Sequence, residues 1–276
     1  MAAARAVRPP AVGGMFYPAD PATLRRQVRK LLDAAPRKHP TGSIAGIIAP
    51  HAGYMYSGLT AAAAYAPLAG MSFDTVVVVA PSHREYFAGV SVYSGDDYQT
   101  PLGSVPIDTE LRELLLASCP LVRSGEAGHR DEHAIEVQLP FLQETLGSFA
   151  LLPLVMGEQR REECLALGRC LGDLAGSRKT LLVASTDCSH FHAARVAVAM
   201  DQVMVEDINR FDYEQLMTDL ESGTTEACGG GPTVAVMAAL HRAGARRMDV
   251  VHHCTSGDIT GDTRSVVGYL SAISWS

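Results

Sequence analysis

Apolar and polar positions alternate along the chain in two rhythms. SIAGIIAP (43–50), DTVVVVAP (74–81), FALLPLVM (149–156) and KTLLVAST (179–186) are unbroken apolar runs of strand length. Runs of that kind fit strands covered on both faces. AGVSVYSG (88–95) alternates instead, which predicts a strand with one wet face. Helical patterns fill the gaps. Asp20 before Pro21 reads as an N-cap followed by proline at the first helical position, leading into ATLRRQVRKLLDAA. A small-residue helix is expected from about Ser57 to Leu68, TELRELLLAS is helical behind Asp108, and EHAIEVQLPFLQETLG reads as helical despite Pro140. Further helices are expected around 160–175, from about 193 to 221, and over GPTVAVMAALHRAGA (231–245). RMDVVHHCTSG and RSVVGYLSAIS close the chain as two antiparallel strands around a Gly/Asp-rich turn. Strands alternating with helices predict the α/β class. With no repeat and no long linker, residues 1–276 read as one layered domain with a mixed, mostly parallel sheet flanked by helices.

Composition narrows the function. Of 276 residues, 47% are hydrophobic and 19% charged, enough for a large core and unlike a disordered chain. Lys plus Arg is 23 against 30 Asp plus Glu, a formal charge of −7. That balance argues against a nucleic-acid binder and against a polybasic membrane anchor. No segment approaches the ~18 uninterrupted apolar residues of a membrane span. The opening MAAARAVRPPAVGGMFYPAD breaks any signal-peptide pattern with proline and glycine, so a cytoplasmic location is expected. The six cysteines contain no CxxC pair, which excludes a zinc ribbon or thioredoxin motif and makes a disulfide framework a poor fit.

Candidate chemistry gathers where strands end. His51 follows IIAP, His83 follows VVVVAPS and His190 follows LLVASTDCS, each just beyond a buried strand. In open α/β sheets ligands collect at that carboxyl edge. Cys228 stands before three glycines and a helix expected to begin near Pro232. A helix N-terminus favours the thiolate, which is both the metal-binding and the nucleophilic form. Asp187, three residues before His190, is either that ring's acid/base partner or a helix cap. His133 and Glu136 in DEHAIE share a helical face at a spacing that can serve a metal. On a strand, His252 and Cys254 would share one face and His253 the other.

Several of these segments together resemble the Memo family, whose bacterial and archaeal members are called AmmeMemoRadiSam system protein B. They are GGMFYPAD (13–20), PHAGYMYSG (50–58), APSH (80–83), DEHAIEVQLPFL (131–142), STDCSH (185–190) and CGGGP (228–232). The resemblance implies a fold similar to the class III extradiol dioxygenases, which use non-haem iron. It implies a metal centre of His51, His83 and Cys228 with Asp187 and His190 in the same pocket, and with Phe16, Tyr56 and His133 facing the substrate. The implied cofactor is one transition metal ion, iron or copper, with zinc as a third option. Radical-SAM and AMMECR-type proteins are the implied partners beside an unknown small-molecule ligand.

One departure concerns the chemistry. Extradiol dioxygenases hold Fe(II) with two histidines and a carboxylate, whereas Cys228 takes the third position here. A thiolate is softer and favours Cu(I), Zn or thiolate-bound iron. Arg84 also stands where some relatives carry a second histidine. Three functions stay open at this point. They are a metal-dependent oxidoreductase with His190 as acid/base, a metal-binding redox or docking protein without turnover, and a cysteine hydrolase of Cys228, His190 and Asp187.

Overall fold

The computed structural model describes residues 5–36, 42–175 and 178–275. The chain begins with β1 (Val7–Arg8), α1 (Pro21–Ala34), β2 (Ile44–Ala49), α2 (Tyr54–Tyr65), β3 (Thr75–Pro81) and β4 (Val90–Tyr93). Its middle holds β5 (Asp97–Thr100), β6 (Gly103–Pro106), α3 (Thr109–Ser118), β7 (Val122–Gly125), α4 (Leu139–Leu146), β8 (Ala150–Met156), α5 (Arg161–Ala175) and β9 (Thr180–Ser185). It closes with β10 (His190–His192), α6 (Ala194–Arg210), α7 (Tyr213–Ser222), α8 (Gly230–Arg242), β11 (Arg247–Thr255), α9 (Ser256–Thr260) and β12 (Val266–Trp275).

Nine of these strands form one sheet in the order β10-β12-β2-β9-β3-β8-β4-β7, with β11 added on β12. The centre, β2-β9-β3-β8, is parallel. Antiparallel pairs lie towards the edges, where β12 meets β2 and β11 and where β4 meets β8. The sheet is therefore mixed, parallel through its centre and again between β4 and β7 at one end. The valine run explains why. Val76 and Val78 of β3 join one apolar cluster with α1, α2 and α4, while Val77 and Val79 join the other with α3, α5, α6, α7 and α8. Alternate side chains leave a strand on opposite faces, so a sheet covered twice needs apolar residues at every position.

Local signals set the element ends. The Asp20 carboxylate accepts the Thr23 N–H and Asp108 that of Leu111, both as N-caps. The helix expected over 193–221 is two helices. Phe211 adopts φ 56°, ending α6, and Asp212 caps α7 through the Gln215 N–H. The alternating strand β4 is buried throughout, against the expectation of a wet face. A small sheet, β1-β5-β6, lies over that side and brings Tyr98 against Tyr93. His129 also covers it, with its Nε2–H donating to the Ser91 carbonyl at 3.2 Å.

The DEHAIE segment is not an α-helix either. A 3₁₀ turn occupies Glu136–Gln138 and α4 starts at Leu139, so Pro140 sits in its first turn, where its missing N–H costs nothing. Glu136 therefore shares no metal-facing helix surface with His133. It is fully buried and accepts from Arg8, Tyr17 and the main chain of Ala11 and Val12. Arg8 in turn donates to the carbonyls of His129 and Glu132. This ion pair ties the N-terminal segment to the loop beneath the site. Cys119 and Cys170 are joined as a disulfide between the end of α3 and α5, a bridge not expected from the cysteine spacing.

Candidate metal centre

Because β2, β9 and β3 are parallel neighbours, their carboxyl ends lie on one edge, with Ala49 beside Ser185. His51, Asp187 and His83 leave the sheet there. Cys228 reaches the same edge from the turn before α8. Three glycines make that approach close. A Cβ at Gly229 would lie 2.2 Å from the Ser185 carbonyl oxygen, one at Gly230 2.8 Å from Leu220, and one at Gly231 2.7 Å from Gln159. Gln159 pins the turn from behind, donating to the Cys228 carbonyl and accepting from the Gly231 N–H, both at 2.7 Å. The helix begins at Gly230, two residues before Pro232.

Ligand atoms of His51, His83 and Cys228 lie within 4.8 Å of one another. Donors around one tetrahedral ion at about 2.0–2.3 Å sit within ~4 Å of each other, so small side-chain shifts close the set. Hydrogen-bond accounting shows which atoms face inward. The Ser185 hydroxyl donates its one hydrogen to the Ala134 carbonyl and accepts from Gln138 Nε2. It can only accept from His51 Nδ1, 2.9 Å away, so that nitrogen carries the proton. His51 Nε2 is left with a free lone pair, 3.1 Å from Cys228 Sγ. His83 follows the same logic. Its Nδ1 lies 3.0 Å from Glu132 Oε1. Burial opposes charge on that carboxyl, but hydrogen bonds from His133 and His83 outweigh it and hold the group well below the usual carboxylate range. An ionised carboxylate only accepts, so His83 Nδ1 donates and its Nε2 is free. Both rings thus present Nε2, as metal-binding histidines with a second hydrogen-bond partner do.

The electrostatics keep His51 and Cys228 neutral. Burial, then the neighbouring His133 and His83, holds the His51 imidazole well below its usual value. Burial and next the Asp187 charge push the Cys228 thiol up, against the hydrogen bond from the Asp187 N–H. The thiolate expected from the helix N-terminus is therefore absent without a cation, because desolvation outweighs the dipole.

Other residues singled out in the sequence fall around this centre. Asp187 is buried and accepts the His51 N–H at 2.8 Å; burial raises its pKa despite that bond. It does not cap the next helix, which starts at Ala194 behind Ala193. His133 stacks on His83 with centroids 4.9 Å apart and meets Phe16 at 4.7 Å. Phe16, Tyr56, His133 and Asp187 line one cleft of about 320 Å³. His190 is half-buried, with its N–H on Glu226, which also binds His192. Cys228 has His51, not His190, as its imidazole neighbour, which removes the geometric basis for the hydrolase. His252 and Cys254 both meet Thr60 while His253 meets buried Asp201, on the two strand faces expected. Glu132, Ser185 and Gln138 were not singled out as site residues.

The profile of the family described as Memo-like protein matches residues 8–273. The chain belongs to the Memo-like family. MEMO1 family proteins of Methanosarcina mazei and Methanocaldococcus jannaschii are 36% and 35% identical to it, each over 97% of this chain and 98% of their own. A solved structure of an uncharacterized protein from Escherichia coli K12, JW3007, aligns with a TM-score of 0.55 at 14% identity, over 84% of this chain and 99% of that one. At that identity the likeness concerns the fold of this Memo-like chain, an α/β sheet flanked by helices.

Proposed function

We propose that the chain holds one transition metal ion between His51 Nε2, His83 Nε2 and Cys228 Sγ and acts on a small molecule as a metal-dependent oxidoreductase. Iron or copper is the expected ion, with zinc the third option. The observation that carries the reading is the convergence of three donors from three separate chain segments, two of them with tautomers set so that free lone pairs face the third. When bound, the ion supplies a Lewis-acidic or one-electron centre directly behind the cleft. The protein's own groups do the rest. Phe16 and Tyr56 wall the cleft and His133 and Asp187 give it polar groups. His190, an electrostatic neighbour of His51 and Asp187, is the group assigned to exchange a proton with the bound molecule.

A second reading, a copper- or iron-binding protein without turnover, is favoured by the thiolate in place of a carboxylate. Protein purified without added metal, analysed for bound elements and then offered Fe(II), oxygen and a catechol panel, tests the centre and its departure from dioxygenase chemistry. The proposal expects about one equivalent of iron, copper or zinc that is lost in Cys228→Ser. It also expects little or no ring cleavage, because the donor set is not that of a dioxygenase. Absence of any stoichiometric metal overturns it.

A further inference from the structure

Two methionines stand in water at the mouth of the cleft. Met15 is 73% and Met55 68% exposed, and no other methionine among the described residues is exposed. Both line the same cleft as His133 and Asp187. The metal centre lies directly behind two of the cleft's lining residues: the Asp187 N–H donates to Cys228 Sγ at 3.3 Å, and the His133 ring lies 5.3 Å from that of His51. The two methionines are held, not loose. Met15 sits in a tight turn in which its N–H reaches the Val12 carbonyl and Gly14 takes φ 86°. Met55 is in the first turn of α2. The Tyr54 N–H donates to the Phe16 carbonyl at 2.8 Å, so the two turns are pinned together as facing lips.

Other apolar side chains are also exposed on this chain, but among the described residues these two are the exposed thioethers, and they share one cleft. Thioether sulfur is a soft ligand that selects Cu(I) and ignores harder ions. We propose that Met15 and Met55 form an outer thioether site that captures Cu(I) and hands it to His51, His83 and Cys228. This rests on the metal centre described above and names the ion it is built to receive. The transfer is ligand exchange. Copper stays Cu(I), the thioether bonds break as the two Nε2 bonds and the Sγ bond form, and the Cys228 proton leaves to the buffer.

The test keeps the apolar shape and removes the sulfur. Cu(I), supplied anaerobically as its bicinchoninate complex with reductant, is mixed with the parent or with Met15→Leu/Met55→Leu, and loss of the complex's colour is followed by stopped flow. Co(II) uptake, read from its thiolate charge-transfer band, serves as the hard-ion control. The double variant should load Cu(I) about tenfold more slowly or worse, reach the same end-point, and take up Co(II) at the parental rate. Equal Cu(I) rates, or equal slowing of Cu(I) and Co(II), overturn the thioether site while leaving the metal centre standing. A parent chain that takes up Co(II) but no Cu(I) overturns this inference alone, and one that takes up neither contradicts the centre as well.

Discussion

Glu132 grips His83 at two points: Oε2 accepts its main-chain N–H at 2.6 Å and Oε1 its ring Nδ1–H at 3.0 Å. Ser185 performs the second of these tasks for His51. Both act on the metal through the rings they orient. Ser185→Ala should therefore weaken metal affinity ~10- to 100-fold, the usual cost of losing such a partner. Competition against a chelator measures the affinity, and ¹⁵N NMR of the ring nitrogens should show His51 losing its single tautomer. Parental affinity in Ser185→Ala would sink the tautomer argument.

The raised Cys228 thiol has a consequence for pH. Its value in the folded, metal-free chain lies above the ordinary one, so the group is protonated at neutral pH and must lose that proton to bind an ion. His51 is neutral there and releases none. The Cys228 thiol should make affinity rise about tenfold per pH unit around neutrality, because it gives up one proton per metal. Calorimetry in buffers of different ionisation enthalpy counts it directly. The count should fall by about one in Cys228→Ser.

Much of this was legible before the fold. The apolar runs at 74–81 and 179–186 specify covered strands, and those strands put His83 and Asp187 at one edge. The Asp20 and Asp108 caps were readable because a cap is a local event. Glu132 was hidden by its neighbours. In DEHAIE it looks like one acidic residue of a helical first turn, and only the distant His83 shows its role. Glu136 misled for the same reason, since its partner Arg8 lies 128 positions away. Ser185 is a small polar residue at a strand end, with no sequence signal separating it from any other. The wet face expected for β4 failed because β1-β5-β6, whose short strands carry little pattern, covers it.

His129 gives the fold an acid-labile contact outside the metal centre. Burial, with help from the Arg8 charge, pushes its pKa down to about 3, and Tyr98 and the Ser91 carbonyl satisfy both ring nitrogens of the neutral form. The unfolded chain protonates this residue below about 6.5, so it binds more protons than the folded chain between about 6.5 and 3. Stability should fall with pH across that window, by up to about 1.4 kcal/mol per unit from this residue. Urea unfolding between pH 7 and pH 5 reads the slope. His129→Gln keeps a donor and an acceptor without titrating and should flatten it; an unchanged slope would assign the acid sensitivity elsewhere.

The central claim is that His51 and Cys228 serve one ion. Cys228 is half-buried and its thiol is free, as are those of Cys164, Cys188 and Cys254. Iodoacetamide labelling followed by peptide mass analysis reports on Cys228 alone. Metal should slow its alkylation at least ~10-fold in the parent chain, since a bound thiolate is no longer a free nucleophile. In His51→Ala, which removes one buried donor, that protection should vanish at the same metal concentration. If metal shields Cys228 equally with and without His51, the two residues do not share an ion and the proposed centre is wrong.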